Sequence, residues 1–187
     1  MTTCAEIITL AATRGRIIRP GATLKASEAD DGMLALQGMY SYWATGMFGR
    51  LTNVLATANA EAEINTRIRV DGAYTITLPT TVDSTETLPP PDLSMVEIIY
   101  TDPTVSHEQW VYEAPLGDWT QINGLVLTDA APFASRGVAG LADALALHWN
   151  ESFGDDVLPA NVRRGAMSFL RSIMWKFDAD ELVAEYY

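Results

Sequence analysis

The sequence predicts an α+β protein, an antiparallel helical bundle of about four helices with an inserted small antiparallel β domain. Three observations lead there. Apolar residues recur at helical spacing towards both ends of the 187-residue chain. The middle reads instead as short segments rich in Val, Ile, Thr and aromatics, separated by turn residues. Charge follows the same division: residues 1–50 carry five basic and four acidic groups, residues 51–130 two and twelve, and residues 131–187 five and eight. Most of the formal charge of −12 therefore falls in the middle. The expected organisation is a bundle built from 1–50 and 131–177, a β domain over 51–130, and a C-terminal arm over 178–187.

The elements follow in order. Thr3 and Glu6 have the spacing of a capping box, and Ile7, Leu10, Ala11 and Arg14 carry a first helix to Gly15. Residues 16–26 contain "RPG" without sustained period and read as a connection. Ser27, with Asp30 and Asp31 in the first turn, starts a second helix. Its Met33, Leu36, Tyr40, Trp43 and Met47 step by 3, 4, 3 and 4, and Gly46 and Gly49 bring it to an end. "RLTNVLAT", "INTRIRV", "AYTITLP", "MVEIIYT", "QWVYEA" and "WTQINGLVL" then supply five or six strands. Asp71-Gly72 has the composition of a two-residue hairpin turn, and "LPPPD" is a stiff spacer that no central strand tolerates. An alternative extends the second helix through 51–62. Thr128 or Asp129 as a cap, with Pro132 near the start, introduces a third helix carrying Val138, Leu141, Leu145, His148, Trp149 and Ser152, closed by Gly154. Pro159 opens a fourth. There Val162, Ala166, Phe169, Ile173 and Phe177 form one stripe, leaving Arg163, Arg164 and Arg171 on other faces. One amphipathic helix cannot hide its stripe alone, so the four are expected to share a core from which the β domain is looped out.

Hydrophobic residues make up 48% of the chain and charged ones 19%, enough apolar surface for a substantial core. No apolar run reaches membrane-spanning length, and the first residues lack a basic start with an apolar signal segment, so the expectation is a soluble chain without a secretory signal. The single Cys4 excludes an internal disulfide and a multi-cysteine metal cage. The acidic balance argues against unaided duplex DNA binding, whose affinity comes from lysines and arginines at phosphates. His107 reads as an exposed loop residue and His148 as a structural histidine on or beside an apolar helix face. "DADE" at 178–181 reads as a solvated helix end rather than a cation site. Trp110 and Trp119 read as core aromatics, with a sugar-stacking platform as the alternative. The sequence therefore predicts no enzyme, no cofactor and no metal. Tyr186 and Tyr187 are hard to bury within four helices; an aromatic arm anchored in a partner is one reading and a frayed tail the other.

The order of parts, "EIITLAATRGRI", then "ASEADDGMLALQGMYSYWATGMFG", then "GLADALALHWNESFGDDVLPANVRRGAMSFLRSI", resembles the phage head-to-tail adaptor family, also called tail accessory, head completion or packaged-DNA stabilisation proteins. Ala29, Leu34, Leu36, Met39, Trp43 and Gly46 match the family's second element. Gly140, Leu141, Leu145, Phe153, Gly154, Pro159, Val162 and Ala166 match its third. "INTRIRVDGAYTITLPTTVD" resembles a β insertion of some members, whereas the shortest members join the two helices directly. The resemblance implies a structural virion protein of the neck, made in the host bacterial cytoplasm. It would form a ring, commonly of twelve copies, between the portal protein and a tail or nozzle protein, with packaged DNA passing through without sequence-specific binding and no membrane involved. Trp175, Phe177, Leu182, Val183, Tyr186 and Tyr187 are the expected portal-facing residues. Arg14, Arg16, Arg19, Lys25, Arg163, Arg164 and Arg171 are the basic residues to examine for DNA or acidic partners, with a solvated basic face as the alternative. A carbohydrate-binding module of a phage structural protein is the competing function.

Overall fold

The computed structural model describes residues 1–46, 51–81, 88–153 and 158–184, with side chains throughout except at 45–46, 151–153 and 174–184. Helix α1 (Cys4–Arg14) opens with the capping box that its spacing predicts. The Glu6 N–H donates to Thr3 Oγ1 at 3.3 Å and the Thr3 N–H to the Glu6 carboxylate at 2.9 Å. Helix α2 (Ala26–Gly46) begins slightly before Ser27: the Glu28 carboxylate accepts the Lys25 N–H at 2.8 Å, so the acid closes the first turn that Ser27 was expected to cap. Leu36, Tyr40 and Trp43 of its stripe are buried, Met33 is half-buried, and Met47 lies outside the described residues.

Helix α3 (Val138–Phe153) follows a 3₁₀ turn (Ala134–Arg136). Neither Thr128 nor Asp129 caps it. Asp129 Oδ2 instead accepts the Val126 N–H at 2.8 Å, tightening the preceding loop. Helix α4 (Ala160–Ala184) starts at Pro159, whose carbonyl accepts the N–H groups of Val162 and Arg163 at 3.0 and 3.1 Å. Val162, Ala166, Phe169 and Ile173 are buried; the side chain of Phe177 lies outside the described ones. The helix continues to Ala184, through most of the stretch expected to be a separate arm.

The chain divides into two units, 1–40 with 125–187, and 41–124. In the first, the returning segment satisfies the start of α1: Cys4 and Ala5 donate to the carbonyls of Asp129 and Leu127 at 2.9 and 3.0 Å, and Ala131 donates to Thr2 at 2.9 Å. Tyr40 packs on Phe133 with ring centroids 5.7 Å apart, and its hydroxyl donates to the Pro132 carbonyl at 2.8 Å. The helices approach closely at glycines. A Cβ on Gly32 would stand 2.3 Å from Ile8 Cγ2 and 2.7 Å from the Trp149 ring, so only hydrogen fits where α2 meets α1 and α3. At Gly165 of α4 a Cβ would stand 2.0 Å from the Asp143 carboxylate of α3. Asp143, only 2% exposed, is held there by the Arg14 guanidinium of α1, through Nε to Oδ1 and Nη2 to Oδ2, the latter at 2.7 Å. Both ends of the polypeptide thus share one interior.

The second unit overturns the expected antiparallel insert. Its strands are β1 (Thr52–Ala56), β2 (Ala60–Glu61), β3 (Thr66–Val70), β4 (Ile76–Thr77), β5 (Met95–Tyr100), β6 (Glu108–Glu113) and β7 (Asp118–Gln121). Five of them form one mixed sheet in the order β1-β3-β5-β6-β7, with β1–β3 and β3–β5 parallel and β5–β6 and β6–β7 antiparallel. β2 and β4 pair in parallel as a second, two-stranded sheet. Four helices and a mixed sheet make this a mixed α/β fold among the described residues, not a helical bundle carrying a small antiparallel insert. The physical reason lies in the connections. Parallel neighbours need a crossover, and here β2 and β4 supply it in a second layer, so the chain coils instead of reversing.

The hairpin expected at Asp71-Gly72 is accordingly absent: β3 and β4 belong to different sheets. A type I′ turn needs positive φ at both central residues, whereas Gly72 (φ 115°) has it and Asp71 does not. Asp71 instead accepts the Thr101 hydroxyl at 3.0 Å. Residues 51–62 hold β1 and β2, so the alternative of an extended second helix is also overturned. Alternation places Ala56, Ile68, Val70, Val96 and Ile98 on one face of the large sheet. Ala62, Ile76 and Leu78 from the second layer pack over them.

Candidate functional site

The strand order leaves β1 at an edge of the large sheet among the described residues. Its Thr52 N–H donates to the Asn65 carbonyl at 2.9 Å, so by the period of two the backbone groups of Asn53 and Leu55 face away from β3. Val54 and Leu55 are adjacent in sequence and point to opposite faces, yet they are 42% and 59% exposed. Edge strands bare of lysine and proline are open to pairing or packing by another chain. Beside β1 lies a cleft of about 220 Å³, whose apolar lining includes Val54, Ala56, Ile68 and Ile76, with Glu61 and Glu63 among its polar members. Both glutamates are exposed, and neither joins an ion pair among the described residues. An apolar trough with acidic groups suits an apolar side chain flanked by cations.

The opposite face of the sheet carries a polar row. Glu97, 7% exposed, takes Arg67 Nε on one oxygen and Gln109 Nε2 on the other at 3.0 Å. The backbone N–H of Gln109 in turn donates to Asn123 Oδ1 at 2.8 Å. Every member has its partner, so the row stiffens β3, β5 and β6 rather than presenting a free reactive group.

The sequence-predicted basic residues separate into two kinds. Arg14 is committed to Asp143, and that hydrogen bond holds its guanidinium above the ordinary arginine value, with the Asp143 charge acting in the same direction. Arg16, Arg19 and Lys25 are exposed on the connection after α1, where no acidic residue occurs from 15 to 27; Lys25 approaches Glu28 at 3.9 Å. Arg163, Arg164 and Arg171 are exposed on α4. The side chains of Trp175, Phe177, Leu182 and Val183 lie outside the described ones, as do those of the "DADE" run, and Tyr186 and Tyr187 lie outside the described residues altogether.

Trp110 and Trp119, the alternative sugar platform, are half-buried against the sheet core. Trp119 meets Tyr112 edge-on at 5.6 Å and donates its indole N–H to the Pro79 carbonyl at 2.7 Å, while Trp110 donates to Glu108 at 2.9 Å. His107 is exposed, its carbonyl accepting Asn123 Nδ2 at 2.8 Å, and His148 is half-buried on α3 beside Gly38. Burial pushes the Cys4 thiol up from its ordinary value to about 11, with Asp129 adding to the shift. Among the described residues no cluster of histidine, cysteine or carboxylate is arranged to hold a metal, and no helix is long and apolar enough to cross a membrane.

Sequence reasoning missed the cleft and the edge that borders it. The signal available was the neighbouring pair Val54-Leu55: on a strand one of two adjacent apolar residues must leave the core. No protein-family model matches this chain, and no curated protein does.

Proposed function

We propose that the chain is a structural virion protein, a head-to-tail adaptor that forms a ring between portal and tail around the DNA channel. One observation supports this above others. Six residues that carry the resemblance, Leu36, Met39, Leu141, Leu145, Val162 and Ala166, are all buried in a single unit made by both ends of the chain. That is the arrangement an adaptor built from a split helical unit with an insertion requires. Leu34, which matches the pattern too, is 64% exposed and available to a neighbour.

The helical unit forms the ring wall in this reading, and the acidic insertion extends contact with adjacent proteins. Acid near a DNA conduit favours passage over retention, because retention needs cations at phosphates. The C-terminal residues 178–187 dock on the portal, burying apolar side chains at roughly 25 cal/mol per Å². The test is a deletion of 178–187, assayed by co-purification with the portal protein of the same virus. Loss of portal binding with an unchanged melting temperature is expected. Undiminished binding refutes the docking role.

A further inference from the structure

From the chemistry of two separate surfaces we infer that the cleft beside β1 in one copy receives the 16–19 turn of the next copy, making a head-to-tail contact. The inference deepens the ring reading above and rests on it. The cleft, at about 220 Å³, is smaller than the roughly 300 Å³ at which small-molecule sites begin, so its size suits one or two side chains of a protein partner. Its floor is apolar through Val54, Ala56, Ile68 and Ile76, and Glu61 and Glu63 supply two carboxylates that pair with nothing among the described residues.

The turn has the complementary pattern. Arg16 and Arg19 are exposed on either side of Ile17, itself 42% exposed. Its shape is set in advance. Arg16 sits at φ 63°, the N–H groups of Ile17 and Ile18 both donate to the Ala12 carbonyl at 2.9 and 3.2 Å, and Ile18 is buried as an anchor. A preformed turn loses little conformational freedom on docking. Ile17 then fills the apolar floor while the two arginines meet the two glutamates.

A chain with a net charge of −12 repels its own copies, so a lasting contact must juxtapose one of its few basic stretches with its acid. The donor turn belongs to the helical unit and the acceptor cleft to the strand unit, so the two patches differ and each copy has one of each. Contacts of that kind propagate head to tail and close into a ring where the rotation between copies allows, as the ring reading requires.

The experiment is sedimentation velocity over a concentration series at low ionic strength, on the full chain, on Arg16→Gln/Arg19→Gln and on Glu61→Gln/Glu63→Gln. All four positions are exposed, Glu→Gln keeps the side-chain size, and Arg→Gln keeps a polar side chain while removing the charge. The wild-type chain is expected to associate with rising concentration, and to lose that association in 1 M salt, where the screening length is about 3 Å. Each variant alone loses both charge pairs and is expected to associate at least about tenfold more weakly, the factor that one close charge pair alone supplies. An equimolar mixture of the two variants is expected to stop at a one-to-one dimer, because it retains a single competent turn and a single competent cleft. A wild-type chain that stays monomeric at its solubility limit, variants that associate like wild type, or a mixture that grows beyond the dimer each overturn the inference. Loss of association in the arginine variant alone also overturns it and points to a different acceptor for the turn. The ring reading fails separately, if the chain is absent from purified virus particles. Particles that contain the chain while sedimentation shows no such contact sink only the inference.

Discussion

Replacing Arg14 by methionine removes the guanidinium that holds Asp143 while keeping an unbranched apolar stem in its place. Asp143 is 2% exposed and crowded by Gly165, so its carboxylate can neither reach bulk water nor move aside. Breaking a buried pair from one side costs about 3–5 kcal/mol. The Arg14 side chain is 31% exposed, so water reaches part of the pair and the lower end, about 3 kcal/mol, applies. At about 2–4 °C per kcal/mol for a chain of this size, the melting temperature should fall by roughly 6–12 °C. Arg14→Met/Asp143→Ala removes the stranded charge as well, and it should recover about half of that loss. Urea unfolding followed by far-ultraviolet circular dichroism gives both values and the coupling between the sites. The arginine titrates above its ordinary value, so its contribution is complete at neutral pH and is lost only as pH rises through that raised value. Strictly additive losses, or an Arg14→Met variant within about 0.5 kcal/mol of wild type, would refute the assignment of Arg14 to the helical core.

Other consequences follow from the same contacts. Gly32→Ala drives a methyl into Ile8 and the Trp149 ring, and should destabilise by about 1–3 kcal/mol despite the gain of about 1 kcal/mol in helix propensity. A thermal melt that rises instead would mean the helices separate freely there. Thr3→Ala removes one half of the capping box and should cost about 1 kcal/mol, read in the same urea titration. Cys4 is buried with its thiol raised to about 11, which cuts the thiolate fraction about 100-fold below that of an ordinary thiol at neutral pH. Alkylation of the native chain should therefore be slow at pH 7 and accelerate sharply in denaturant; equal rates in the two conditions would contradict the burial.

Much of the helical unit was legible because its signals are local. Thr3 with Glu6 and the 3-and-4 spacing in α2 and α4 report contacts within a turn or two. The sheet was not, because alternation specifies a face and says nothing of direction. "MVEIIY" nonetheless held a clue: β5 is buried continuously over Met95–Ile98, as a central strand covered on both faces should be. Asp71-Gly72 misled for a related reason, since turn composition permits a hairpin without requiring the next segment to pair with the last. Arg14 looked like a free cation at a helix end, and its partner Asp143 is 129 residues away, beyond any spacing rule. The cleft beside β1 depends on β1, β2, β3 and β4 being folded together, so only the apolar pair Val54-Leu55 foreshadowed it.

Imaging the neck of purified virus particles carrying this chain, with reconstruction of the density below the portal, tests the assignment most directly. The account predicts a closed ring of copies there whose wall fits the unit formed by 1–40 and 125–184. Particles whose neck lacks this chain, or that hold it only in the shell or at the tail tip, would contradict the assignment.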